Sequence, residues 1–175
     1  RRELLAGLDI DYRVTALPEV DESYPDTLSG EEIPLYISQE KAAAYRRFMK
    51  DNTLLITADT IVWLDGKVYG KPRDIADAKA MLQALSGKTH TVITGVTLTS
   101  LQKQISFTVS TEVTFAALGD DEIDYYVEKY RPLDKAGAYG VQEWIGYIGV
   151  TGLKGSYYNV MGLPIQRLYT ELKKF

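Results

Sequence analysis

Cysteine is absent from this 175-residue chain, and histidine occurs once, as His90. Without thiols there is no disulfide, no thiolate metal ligand and no cysteine nucleophile, and a single imidazole cannot build a histidine-rich metal cage. No apolar run approaches the length of a membrane span and the opening residues lack a signal-peptide pattern, so the cytoplasm is the expected compartment and no membrane partner is expected. A broad basic field is missing as well. The net charge of −4 argues against nucleic acid as a partner and leaves room only for a small, local anion site. Familiar phosphate and hydrolase motifs are absent too: there is no GxxxxGKS/T loop, no GxGxxG between a strand and a helix, no GxSxG and no HExxH.

What is present is ordinary globular material, with 45% hydrophobic and 25% charged residues. Its length suits one or at most two compact domains, and with no internal repeat or linker a single domain over 1–175 is expected. The stretch from Leu54 to Pro72 stands out. Leu54 to Ala58 and Ile61 to Trp63 read as apolar, β-branched strand, yet Asp59 sits in the middle, where an ionised carboxylate is costly to bury. A bound cation or a cluster of basic side chains would compensate it; the plainer reading is a strand-end aspartate bonded to nearby backbone. Asp65-Gly66 then predicts a tight hairpin turn, with Lys67 to Tyr69 returning and delivering Gly70-Lys71-Pro72.

The remaining elements are read in order. Arg1 to Gly7 predicts a short helix with Leu4, Leu5 and Leu8 inward, and its two arginines oppose the helix dipole. Asp11 to Ala16 alternates as a strand would, and Leu17 to Glu32 is an acidic, turn-rich connection holding Asp21 and Glu22. Pro34 to Lys50 has helical periodicity, with Ile37, Ala44, Tyr45 and Phe48 on one face. Lys41 lies on that same face, either snorkelling to the rim or pointing into a polar cleft. Asp74 is the expected N-cap of a helix over 75–85 that Gly87 ends. Strands are expected over 90–99 and 105–115, with His90 structural, and a helix from an Asp120-Asp121 cap to Tyr130. From Arg131 to Pro164 glycine recurs seven times, which suggests a long functional loop rather than a helix. Pro164 opens a last amphipathic helix. This order of elements implies an α/β domain with a mixed central sheet and flanking helices.

Glu22 and Asp59, with Lys41, Lys71, Arg1 and Arg2, would form a site of alternating sign if the fold gathers them. That is the chemistry a polyphosphate needs: carboxylates for a hard divalent cation such as Mg or Mn, and cationic side chains for phosphate oxygens.

The segments Arg1-Arg2-Glu3-Leu4-Leu5, Ala58-Asp59-Thr60-Ile61-Val62, Gly70-Lys71-Pro72-Arg73-Asp74, Leu85-Ser86-Gly87-Lys88-Thr89-His90, Pro132 to Gly140 and Gly162-Leu163-Pro164 resemble the Maf family of nucleoside triphosphate pyrophosphatases, also called septum formation proteins. The likeness runs in order over essentially the whole chain. It implies a two-lobed α/β fold around a nucleotide-binding cleft, and hydrolysis of a nucleoside triphosphate to monophosphate and pyrophosphate with a divalent metal. It implies that Asp59 orients or deprotonates the attacking water through the metal, that Glu22 of Val20-Asp21-Glu22 is a metal ligand or a partner of metal-bound water, and that Lys41, Lys71 and Arg2 bind phosphate. Arg1, Thr60 and Gln142 resemble the branch acting on dTTP and UTP; the 7-methyl-GTP branch typically has Gln and Glu at the second and third positions. The Gln142 amide both donates and accepts, as the O4 and N3–H edge of uracil or thymine requires. The family's older name keeps a second reading open, a nucleotide-binding regulator of cell division without turnover, and a homodimer is also left open. The chain opens Arg1-Arg2 without the family's N-terminal strand and Ser-x-Ser-Pro segment, so a piece of a longer protein is expected, lacking phosphate donors that those residues would supply.

Overall fold

The computed structural model describes residues 1–15 and 19–175. In chain order the elements are α1 (Arg2–Ala6), α2 (Glu32–Tyr45), β1 (Leu55–Leu64), β2 (Lys67–Tyr69), α3 (Ile75–Leu85), β3 (Thr89–Thr99), β4 (Gln104–Phe115), α4 (Asp120–Tyr130), α5 (Trp144–Gly149), β5 (Val150–Lys154), α6 (Tyr157–Met161) and α7 (Ile165–Lys174). The described strands form one five-stranded sheet in the order β2-β1-β3-β4-β5. No described helix is long and apolar enough to cross a membrane.

The α/β class with a central sheet and flanking helices is as expected, and the sheet is antiparallel rather than mixed. β1 pairs antiparallel with β2 and β4 with β5. β3 and β4 are neighbours joined through the short turn closed by Ser100 N–H to Lys103 O at 2.8 Å, a connection only antiparallel strands can use. Between β1 and β3, Thr57 bonds Thr97 and Thr60 bonds Thr94, so the partner numbers run in opposite directions. The β1–β2 turn has φ 51° at Asp65 and 78° at Gly66, the left-handed pair whose twist matches that of the strands.

The chain divides into two compact units, and the division falls within β1, β3 and β4. The first comprises Arg1–Thr60, Ile93–Val109 and Gly162–Phe175. Its core is Ala58, Val96, Leu98, Phe107, Leu163 and Leu168, covered by the apolar sides of α1 and α7 through Leu4, Leu5, Ile165 and Leu172. α2 lies tight on β3 because position 95 has no side chain: a Cβ on Gly95 would stand 2.4 Å from the Pro34 carbonyl oxygen. The second unit comprises Ile61–Val92 and Ser110–Met161. Its core joins Val62, Leu64, Leu82, Leu85, Phe115, Ile123, Tyr126, Tyr139 and Ile145. Asp74 caps α3 as predicted, accepting from Asp77 N–H at 2.7 Å, a bond of about 1 kcal/mol.

Four expectations are corrected. No strand forms over 11–15, where Tyr12 and Val14 are exposed and pair with no neighbouring strand; Ala16 lies outside the described residues. The helix expected over 34–50 is α helix only over Glu32–Tyr45 and ends in a 3-10 turn, Arg46–Phe48, which leaves Phe48 exposed. The glycine-punctuated stretch contains α5, β5 and α6. Glycine there permits close approach within helix as well as loop: a Cβ on Gly146 would lie 1.8 Å from the Val141 carbonyl oxygen. α4 begins one residue past Gly119, whose N–H is held by the Glu122 side chain at 2.8 Å, so the capping falls to Gly119 and not to Asp120-Asp121.

Candidate active site

Within β1, Thr57-Ala58 and Ile61-Val62 are buried and Asp59-Thr60 between them are only partly so. Asp59 retains only 13% side-chain exposure and Lys41 14%. The Lys41 ammonium meets three acceptors: Ala58 O at 3.1 Å, Asp59 Oδ1 at 3.5 Å and Glu22 Oε1 at 3.2 Å. The contacts to Ala58 O and Asp59 Oδ1 are hydrogen bonds and that to Glu22 is an ion pair, so the ammonium is engaged by backbone and both carboxylates. Lys41 therefore points into a polar site and does not snorkel. Glu22, from the acidic connection, is half exposed at 49% and closes the site from outside.

Arg1 completes the cluster. As a residue it is exposed, but its guanidinium end turns inward, donating from Nε to Gly162 O at 2.7 Å and from Nη2 to Thr60 Oγ1 at 3.0 Å. Desolvation lowers the guanidinium pKa, against the opposing pull of Asp59 and Glu22. Burial likewise raises the Asp59 carboxyl above its usual range, with Lys41 and Arg1 pulling it down and Glu22 adding to the rise. Of the predicted group of alternating sign, Arg1, Glu22, Lys41 and Asp59 are brought together, Asp59 and Lys41 with little exposure and Glu22 half exposed, and Thr60, predicted as a branch position, bonds Arg1 beside them.

A directed row of hydroxyls fixes α2, and Lys41 with it, against the sheet. Ser38 Oγ donates to Leu35 O at 2.8 Å, which uses its one proton. Thr97 must then donate to Ser38 (2.8 Å), and Ser106 to Thr97 (2.9 Å), while Gln39 Nε2 donates to Ser106 (3.2 Å). Thr57, two residues before Asp59 and on the same face of β1, donates to Ser38 O at 2.7 Å. β1 and α2 are joined at 57 to 38 and again at 59 to 41, one helical turn further on.

The other predicted residues are described each in its own element. Arg2 is on α1 and exposed. Lys71 and Gln142 belong to the second unit and both are exposed. Lys71 follows β2 and Gly70, whose carbonyl accepts from Gly137 N–H at 3.1 Å. Gln142 is in the turn before α5.

The profile of the family described as Maf-like protein matches residues 1–175. The chain belongs to the Maf family. Relatives agree over nearly its whole length. A protein of Phocaeicola vulgatus named dTTP/UTP pyrophosphatase is 67% identical over 174 residues, covering 99% of this chain and 90% of that protein. A Bacteroides thetaiotaomicron protein of the same name is 64% identical over 174 residues, with the same coverage of 99% and 90%. One from Porphyromonas gingivalis, also so named, is 55% identical over 177 residues, covering 100% of this chain and 89% of that protein.

The Maf chain's donors can be weighed for a metal. Among the described residues no three His, Asp or Glu side chains are grouped to hold an ion unaided. Glu22 and Asp59, both reached by one ammonium, are a pair of hard oxygen donors. That set fits Mg or Mn, which take one or two carboxylates and complete their shell with water and phosphate oxygens. Two residues bonded to this cluster were not among the predicted ones. Thr94, fully buried, meets Thr60 Oγ1 at 2.8 Å, and Gly162 supplies the carbonyl that holds Arg1. Nothing distinguishes Thr94 within a threonine-rich strand; Gly162, at φ +117°, was signalled by its Gly-Leu-Pro motif.

Proposed function

We propose that this chain hydrolyses nucleoside triphosphates, dTTP and UTP foremost, between the α and β phosphates, releasing the monophosphate and pyrophosphate. The setting we assign is removal of unwanted nucleotides from the cytoplasmic pool. The observation that carries the reading is the Arg1, Glu22, Lys41 and Asp59 cluster, charges of both signs gathered about a largely buried Asp59 and Lys41, in a chain two-thirds identical to a protein named for that reaction.

In this reading ionised Asp59 orients the attacking water and takes its proton, a role its raised pKa suits by making it a better base than an exposed carboxylate. Lys41 and Arg1, with Arg2 and Lys71, neutralise phosphate oxygens as charge builds on the leaving pyrophosphate. Lys41 would exchange one of its carboxylate bonds for a phosphate. Glu22 and Asp59 would hold a divalent cation, which supplies charge neutralisation on the polyphosphate. Thr60 and Gln142 are the positions assigned to base selection, Gln142 by donating to and accepting from the O4 and N3–H edge.

The test is an assay of the purified protein on dTTP, UTP, dCTP and 7-methyl-GTP with Mg or Mn, separating pyrophosphate from orthophosphate. Pyrophosphate from dTTP and UTP over multiple turnovers is expected. Orthophosphate would reject the cleavage position, preference for 7-methyl-GTP would move the chain to the other branch, and binding without turnover would favour a regulator.

A further inference from the structure

Gln142 is exposed between neighbours that are not: Gly140 and Val141 are buried, and Glu143 is partly so. The turn carrying it closes through Glu143 N–H to Gly140 O at 3.0 Å. A second closure comes from the fully buried side chain of Tyr126 on α4. The Tyr126 hydroxyl accepts from Gly140 N–H at 3.0 Å and donates to Glu143 Oε1 at 2.6 Å. One oxygen therefore holds both ends of the turn and spends its proton and a lone pair doing so. The site is shaped for this. A Cβ on Gly140 would stand 2.7 Å from Glu143 Oε1 and 3.0 Å from Lys135 Cε, and from the other side Gly146 N–H bonds Glu143 O at 2.9 Å. The Tyr126 ring is itself stacked on Tyr130, with centroids 5.1 Å apart.

We infer that Tyr126 is a positioning residue for pyrimidine selection: its hydroxyl clamps the 140–143 turn so that the Gln142 amide is presented in one orientation. This rests on the base-reading role proposed for Gln142. A bidentate amide discriminates only if its plane is held, because a swivelling amide offers donor and acceptor to any base edge in turn. Glu143 is the anchor through which the clamp acts, and its charge makes that bond the stronger of the two.

Tyr126→Phe keeps the ring and removes only the hydroxyl. Its kcat/KM for dTTP and UTP is expected to fall about tenfold, mostly through KM, with a smaller fall for dCTP, so that the preference narrows. Glu143→Ala should reproduce this, and Glu143→Gln, whose amide oxygen still accepts, should restore the preference. Tyr126→Phe combined with Gln142→Ala should be no worse than Gln142→Ala alone. Equal losses on all three nucleotides, or additive losses in the double variant, would overturn the positioning role and leave the hydroxyl a structural contact. If Gln142→Ala itself leaves the preference unchanged, the base-reading role fails and this one falls with it. If Gln142→Ala abolishes the preference while Tyr126→Phe does not, the positioning role alone fails.

Discussion

The single histidine gives a pH dependence that can be worked out in advance. His90 is 1% exposed on β3, its Nε2 lies 2.6 Å from the Tyr139 hydroxyl, and Phe115 and Tyr139 pack edge-on at centroid distances of 5.1 and 5.4 Å. Its Nδ1 has no partner among the described residues. Burial lowers its pKa from 6.5 to about 4, because a charged imidazolium there would lose its hydration. The unfolded chain takes the proton first, so stability is complete above pH 6.5 and drains as pH falls towards 4. His90→Gln is the reference, since an amide keeps a partner for Tyr139 and does not titrate. Between about pH 7 and pH 4.5 the wild type is expected to lose ~2.4 kcal/mol more unfolding free energy in urea than the variant. Imidazole NMR reads the same quantity directly, because the one resonance pair needs no assignment. A histidine titrating near its ordinary value in the folded protein, or parallel pH profiles for the two proteins, would refute the reasoning.

Two further outcomes concern the charged cluster and its support. Asp59→Asn should lower kcat at least a hundredfold, on the order of a lost general base. It should not lower stability: a raised pKa means that ionised Asp59 opposes folding, so its stabilising contribution is present only below the unfolded carboxylate range and is lost as pH rises through the folded value. The melting temperature of Asp59→Asn relative to wild type should therefore increase from pH 4 to pH 7, and a variant that loses stability over that span would contradict the burial argument. Gly95→Ala places a methyl against the Pro34 carbonyl, so α2 must move outward; overpacking of this kind costs about 1–3 kcal/mol. Urea unfolding measures the loss, and an unchanged midpoint would show that the helix does not lie where the contact places it.

Much of this architecture is written in short-range chemistry. Asp65-Gly66 names its turn, Asp74 its helix, and the threonine and valine runs their strands, because each depends on neighbours in sequence. Asp59 betrayed the site because a carboxylate in an apolar strand demands a partner. What sequence could not reveal was which partner, for Lys41 is displayed on its helix face with hydrophobic residues and could equally have reached solvent. The alternation in 11–15 misled for the opposite reason: a strand needs a neighbour, and pattern cannot supply one. The glycines from Arg131 onward looked like loop, yet Gly146 and Gly149 sit in α5, where the absent Cβ serves packing and not flexibility. Thr94 was invisible because one buried hydroxyl among many threonines carries no mark of its own.

The hydroxyl row from Gln39 through Ser106, Thr97 and Ser38 to Leu35 has every proton pointing the same way. Such a file cannot be repaired at one place. An apolar residue substituted at Thr97 strands a donor on one side and an acceptor on the other, whereas exchanging the whole file for matched apolar groups strands neither. Evolution along this seam should therefore proceed by blocks, with intermediates carrying a single change being the least fit of the series.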